Sequence, residues 1–238
     1  MTIKGVLFDS GETLVGPKEG DWWPPTYFRR IVAEHGFDSL AWDRLGDSLS
    51  KGMRVLDRDS RVLTEADERA QFRNHFEIVL HGIGLQTPPH ELLEALGNAA
   101  ISEVGIEPFP ETRRTLERLR ERGLRLGIVS DAWPSLESKY VKLGLRDFFD
   151  VFTISSRIAC CKPDVRIYRT AIDEMQIPPQ NLMFVDDLSC NVRAAIDFGM
   201  HGVLIDRLGK ETADDPIERI SNLDQLTDLL DAALEDSN

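Results

Sequence analysis

Val6-Leu7-Phe8-Asp9-Ser10-Gly11-Glu12-Thr13-Leu14 is an apolar run of strand character that stops on a carboxylate and passes at once into a turn. In an open α/β sheet, a buried strand that ends on Asp places that oxygen in the crevice outside the carboxyl ends of the strands, where such sheets bind ligands. Asp also caps turns and helices. Asp9 therefore becomes a candidate for chemistry only through the residues that keep it company downstream.

Working outward, the apolar strand covers Ile3 to Phe8, and from about Val15 the pattern turns helical until about Gly105. Phe28, Ile31 and Val32 fall at helical spacing before Gly36. Phe72, Phe76, Val79 and Leu80 repeat that spacing after a start near Thr64, and Leu92, Leu93 and Leu96 share one side of a segment from Glu91 to about Ser102. Amphipathic helices with no strand among them predict a small bundle inserted as its own domain, with hinges near residues 15–25 and 105–110.

After the insert, strand and helix alternate to the end. A helix from Pro110 to Gly123 precedes a strand from Leu124 to Val129 that stops on Ser130. A helix with Leu136, Tyr140 and Leu143 on one face ends at Gly144, and a short strand from Val151 to Ile154 follows. Next come a helix from about Val165 to Met175, a strand from Leu182 to Val185 ending on Asp186 and Asp187, and a helix from about Cys190 to Phe198. A strand from Gly202 to Ile205 and a helix from Leu223 to about Leu234 complete the set. The fold class expected is α/β: a Rossmann-like parallel five-stranded sheet with helices on both faces and an inserted α-helical domain. The boundaries drawn are 1–15 and 108–238 for the discontinuous core and 16–107 for the helical cap.

Composition narrows the function. The 238 residues are 42% hydrophobic, ample for a packed core, and no apolar run approaches the roughly 20 residues that cross a bilayer. With no signal segment at the N-terminus, the expected location is cytoplasmic. Cys160, Cys161 and Cys190 form neither a disulfide framework nor a CxxC spacing and read as small apolar fillers. A net charge of −13 repels phosphate backbones and anionic lipids, so neither nucleic acid nor membrane is an expected partner. A small anionic substrate stays compatible, because a bound divalent cation reverses the local sign. The assembly expected is a monomer or homodimer.

Four polar signals fall at strand ends or in the loops after them: Asp9, Ser130, Lys162, and the pair Asp186 and Asp187. Two adjacent carboxylates ending an apolar strand repel each other unless a cation lies between them and Asp9, and hard divalent ions such as Mg²⁺ take oxygen ligands of that kind.

Taken in order, Phe8-Asp9-Ser10-Gly11-Glu12-Thr13-Leu14, Ile128-Val129-Ser130, Lys162-Pro163-Asp164, and Phe184-Val185-Asp186-Asp187 with Asn191 resemble the four motifs of the haloacid dehalogenase superfamily. The helical insert resembles that superfamily's C1-type cap. The resemblance implies a metal-binding hydrolase, a phosphatase in which Asp9 attacks phosphorus and forms an aspartyl-phosphate. It implies Mg²⁺ held by Asp9, the Gly11 carbonyl and Asp187, with Asp186 as ligand or outer support and Asn191 orienting the shell. Ser10, Gly11, Ser130, Asp131 and Lys162 would hold the phosphoryl oxygens of a small phosphorylated molecule.

Gly11 departs from the phosphatase pattern, which has a second Asp there to protonate the leaving group. Glycine offers a carbonyl but moves no proton. Glu12 would substitute only by turning inward, and neighbouring side chains in an extended loop point apart. Two alternatives follow within the superfamily. Dehalogenase-like members attack carbon and lack the Asp pair, so Asp186 and Asp187 speak against them. Phosphonate-cleaving members use a cap lysine, and the residues around Lys51 do not match their signature. An alternative of another class is a catalytically impaired module that binds a phosphorylated ligand or a protein. In the cap, Trp22 and Trp23 read as hinge packing, Arg29, Arg30 and Arg54 as solvent-facing, and His75 and His81 as surface or boundary residues.

Overall fold

The computed structural model describes residues 2–58, 61–209 and 217–235. In chain order the elements are β1 (Gly5–Phe8), β2 (Val15–Pro17), α1 (Thr26–Glu34), α2 (Leu45–Arg58), α3 (Glu65–Gly82), α4 (His90–Ser102), β3 (Ile106–Pro108), α5 (Thr112–Glu121) and β4 (Arg125–Ser130). There follow α6 (Ser135–Lys142), β5 (Val151–Ile154), α7 (Ser155–Ile158), α8 (Val165–Met175), β6 (Leu182–Asp186), α9 (Ser189–Asp197), β7 (His201–Ile205), β8 (Glu218–Ile220) and α10 (Asp224–Glu235). The chain divides into two units. One holds the segments up to Gly16, from Glu107 to Ala132 and from Tyr140 onward, and the other holds Pro17–Ile106 with Trp133–Lys139.

The first unit is built on a parallel sheet in the order β5-β4-β1-β6-β7-β8. β1 is central and its four residues are all buried. Leu7 joins a cluster with Val129, Ile167, Tyr168, Ala171 and Phe184, and Val6 and Phe8, which alternation turns to the opposite face, are just as inaccessible. Both faces of the sheet are therefore covered, as a sheet of continuously apolar strands requires. The expected α/β architecture is present with six strands rather than five. The sixth, β8, is three residues long and reads Glu-Arg-Ile. Such a short, charged stretch carries no apolar alternation, and it forms by pairing with β7 at the sheet edge.

The second unit is helical, with Phe28, Val32, Phe76, Val79, Leu80, Leu92 and Leu96 at its centre. α3 opens with a capping box: Asp67 N–H donates to Thr64 Oγ1 at 3.2 Å, and Thr64 N–H donates to Asp67 Oδ2 at 3.0 Å. α2, which the reading of the sequence does not name, buries Leu45, Leu49 and Leu56 at helical spacing among many polar residues. β2 and β3 were also unforeseen. They pair as a two-stranded sheet where the chain leaves and re-enters the α/β unit.

One segment falls outside the drawn boundaries. Residues 133–139 were assigned to the core, yet they cluster with the helices. Ser135 donates to Glu68 twice, from its N–H at 2.8 Å and from Oγ at 2.6 Å, and Trp133 Nε1 donates to Gln71 Oε1 at 2.7 Å while its ring meets the edge of Phe72.

Other cap expectations divide. Trp23 stacks on Phe72 and leans on His75, while Trp22 is 40% exposed. Arg29 lies over the Trp42 ring, and Arg30 pairs with Glu34 and Glu103. His75 is a correction: it is fully buried among Trp23, Phe72 and Phe76, because its position three after Phe72 and four before Val79 puts it on the inward face of α3. Cys160 is a buried filler, but Cys161 and Cys190 are exposed on loops and a helix start, where no core reaches them. Among the described residues, no helix is long and apolar enough to cross a membrane.

Candidate functional site

β1 has β4 on one side and β6 on the other. From β1 the chain moves outward through β4 to β5, then returns and moves the other way through β6, β7 and β8. The boundary between β1 and β6 is therefore the switch point at which open α/β sheets form a ligand crevice. Phe8 is level with Ile128 of β4 and Val185 of β6, which puts Asp9 level with Val129 and Asp186. Asp9 N–H donates to the Val185 carbonyl at 2.9 Å, holding the strand end in register. Ser130 closes β4 one residue further along and is buried.

Lys162 enters between the carboxylates. Its Nζ donates to Asp9 Oδ1 at 2.5 Å and to Asp186 Oδ2 at 2.7 Å. The lysine side chain is 2% exposed, and those of Asp9 and Asp186 are 10% and 0%. Lys162 N–H donates to Asp131 Oδ1 at 2.9 Å, tying the lysine's loop to the loop that follows Ser130. Asp186 is saturated on its other side, accepting from Leu188 N–H at 2.8 Å and Asn191 Nδ2 at 3.1 Å. Asn191 is itself placed by Tyr168, whose hydroxyl donates to the Asn191 carbonyl at 2.9 Å.

The charges do not balance. Asp9, Asp186 and Asp187 are three carboxylates around one ammonium. Burial pushes Asp9 up to about 7, Lys162 pulls it back in part, and Asp186 and Asp187 raise it again. Burial likewise raises Asp187 to about 6, with Asp186 and Glu12 adding to the rise. For Lys162, burial favours the neutral amine, but Asp9 and Asp186 outweigh it and keep the side chain an ammonium well beyond the ordinary lysine range. A pocket of oxygen donors with more negative charge than its lysine offsets is the chemistry that suits a hard divalent cation. Among the described residues, no three Asp, Glu, His or Cys side chains already converge on one point.

The turn after Asp9 is closed by its own backbone. Leu14 and Val15 N–H both donate to the Ser10 carbonyl, and Glu12 N–H donates to the Val15 carbonyl at 2.9 Å. Glu12 sits at φ 53, in the left-handed region. The extended loop assumed for Glu12 is thus not the one formed, and alternation gives no guide to where its carboxylate goes. The Ser10 hydroxyl pairs with the buried Tyr140 hydroxyl at 2.7 Å.

The structure thus brings Asp9, Lys162, Asp131, Asp186 and Asn191 into one bonded network, with Ser130, Gly11, Glu12 and Asp187 on adjoining turns. Sequence reasoning did not single out Tyr140 or Tyr168 as supports. A tyrosine on an apolar helix face was the available signal, since a buried hydroxyl has to find a partner.

The family model for haloacid dehalogenase-like hydrolase matches residues 3–199. A glyceraldehyde 3-phosphate phosphatase of Methanopyrus kandleri is 30% identical over 240 residues, covering 98% of each chain. One from Methanothermobacter thermautotrophicus is 27% identical over 243 residues, covering 96% of this chain and all of the relative. Among solved structures, a HAD-hydrolase from Bacillus subtilis bound to magnesium superimposes with a TM-score of 0.70 at 14% identity, covering 97% of this chain and 99% of that one. With ordered motifs at the switch point of a parallel sheet and a family match over most of its length, the chain belongs to the haloacid dehalogenase-like hydrolases.

Proposed function

We propose that the protein is a Mg²⁺-dependent phosphatase of small phosphorylated metabolites, working through an aspartyl-phosphate on Asp9. The observation that carries this reading is the Lys162 ammonium bridging Asp9 and Asp186, with the further carboxylate of Asp187 nearby. An anionic nucleophile meets an anionic phosphoryl group only where cations lie between them.

Lys162 holds Oδ1 of Asp9, which leaves Oδ2 to attack phosphorus. The Asp9 oxygen–phosphorus bond forms as the ester oxygen–phosphorus bond breaks, and water then releases phosphate from the acyl-phosphate and regenerates the carboxylate. Lys162 and the Ser130 hydroxyl bind equatorial phosphoryl oxygens. Asp186, committed to Lys162, Asn191 and Leu188, orients the lysine, so Asp9, Asp187 and the Gly11 carbonyl are the donors that would hold Mg²⁺. When bound, the ion would offset the charge of the phosphoryl group during transfer. The helical unit, residues 17–106 with 133–139, is the part of the chain that corresponds to the C1-type cap.

Gly11 supplies no proton to the leaving group. General acid–base catalysis contributes about 10²- to 10⁴-fold, so esters whose leaving groups need no proton are the better substrates. The names of the archaeal relatives make glyceraldehyde 3-phosphate the first metabolite to try. Purified protein is assayed for phosphate release from glyceraldehyde 3-phosphate, acetyl phosphate and p-nitrophenyl phosphate with and without Mg²⁺. Turnover that requires Mg²⁺ and disappears in Asp9→Asn is the expected result. Release that is absent, or equal in Asp9→Asn, removes the phosphatase reading.

A further inference from the structure

The turn that carries Gly11 is held from outside by a residue that none of the four motifs contains. We propose that Arg207 is a positioning residue for the reaction: its guanidinium fixes the carbonyls of Glu12 and Thr13 and thereby sets where the Gly11 backbone lies beside Asp9. The inference rests on the roles given above to Asp9 and the Gly11 carbonyl.

Arg207 stands two residues beyond β7 and reaches past the end of β6 to the turn after β1. Its Nε donates to the Glu12 carbonyl at 2.9 Å and its Nη2 to the Thr13 carbonyl at 2.7 Å. Nη1 donates to Glu111 Oε1 at 2.7 Å, and the Phe109 ring centre lies 3.6 Å from the guanidinium carbon. All three nitrogens are thus engaged while the plane is backed by an aromatic ring. The Arg207 side chain is 14% exposed and that of Glu111 is 8%. Glu111 also accepts from Leu223 N–H, so the anchor is itself anchored. Arg207 holds the Glu111 carboxyl below its usual range although burial acts the other way.

The clamp sits where the backbone most needs one. Glu12 occupies the left-handed region, which a residue with a Cβ enters at a cost. Gly11, before it, has no side chain to restrict its own rotation. The far end of the turn is pinned separately, because the Leu14 carbonyl accepts from Thr112 Oγ1 at 2.7 Å and from Phe109 N–H at 3.2 Å. Between Asp9, fixed in the sheet, and Leu14, fixed by Thr112, the outward carbonyls of Glu12 and Thr13 are held by the rigid fork of Arg207. A lysine offers one nitrogen and cannot span two carbonyls and a carboxylate in that geometry.

The test compares Arg207→Met, which keeps volume without donors, with Arg207→Lys, which keeps the charge beside Glu111 without the fork. Hydrogen–deuterium exchange is followed over the peptide covering residues 9–16 in protein without Mg²⁺ or substrate, alongside the thermal midpoint. In both variants, exchange at the Glu12, Leu14 and Val15 amides is expected to quicken about tenfold, the equivalent of one lost hydrogen bond to a charged group, while the sheet keeps its protection. With Mg²⁺ and p-nitrophenyl phosphate, kcat falls about tenfold and half-saturating Mg²⁺ rises, with KM within about twofold. Unchanged exchange in this peptide overturns the inference. So does quickened exchange throughout the sheet with a lowered midpoint in both variants, which makes Arg207 a general brace. Wild-type protein that releases no phosphate ends the phosphatase reading, and the exchange comparison still decides the clamp.

Discussion

Gly11 lies between Asp9 and Glu12 in a turn that the Ser10 and Val15 carbonyls close. Gly11→Asp places a carboxyl where the phosphatase pattern has its proton donor. We expect it to raise kcat on alkyl phosphates about 10²-fold and to change acetyl phosphate turnover far less, since an acyl phosphate's leaving group needs no proton. Folded Gly11→Asp protein with unchanged or lower rates on alkyl phosphates would sink the idea. At this scale the sequence spoke unevenly. Asp9, Lys162 and Asp186 were legible because a charged residue at the end of an apolar strand, or in the loop after one, is conspicuous. Ser10 was legible only as a polar neighbour of Asp9. That its hydroxyl faces Tyr140, 130 positions away, is a fact of packing. Arg207 was invisible for the same reason, being 195 positions from the carbonyl it holds.

Among the elements, α3 begins where its sequence says it should. Thr64 followed by Asp67 satisfies two amides that a helix start leaves without partners. Thr64→Ala should destabilise the helical unit by about 1 kcal/mol. All four tryptophans, Trp22, Trp23, Trp42 and Trp133, lie in that unit. Intrinsic fluorescence therefore reports its unfolding, and a midpoint lowered by about 4–8 °C is expected for a unit of this size. A midpoint that stays put would show that the box is not what holds the first turn. Elements marked by a helical period or an apolar run, such as α8 and β5, lie where their patterns put them. β2, β3 and β8 were not, since three residues cannot display a period and these strands exist only through their partners. The segment 133–139 shows the same limit, because Glu68 and Gln71 draw it to the helices through bonds that span more than 60 positions.

For the whole molecule, the surplus of negative charge at the site makes stability depend on pH and on cations. Asp9 and Asp187 bind a proton more tightly folded than unfolded, with folded values of about 7 and about 6 against an ordinary 3.8. Their contribution to stability is full below the ordinary value and is lost as pH rises through 6 and then 7. A divalent cation bound by the folded state offsets that loss. Mg²⁺ at about a hundred times its Kd adds roughly 2.7 kcal/mol, which for this chain length raises the melting midpoint by about 5–10 °C. The rise should be full at pH 8, where both carboxyls are ionised, and nearly absent at pH 5. Thermal melts at the two pH values check this, and equal shifts at both would refute it.

The sequence alone determined the α/β alternation, the helical insert after the first strand and the four motifs that mark the strand ends. Periodicity and punctuation are local properties, written within a few residues of where they act. Only the tertiary structure decided that one ammonium lies between carboxylates 153 and 24 positions from it, and that an arginine near the far end of the chain grips the turn after Asp9. Such contacts follow from the order in which the strands pack, and the strand order is set by burial of both faces of the sheet rather than by any single stretch of residues.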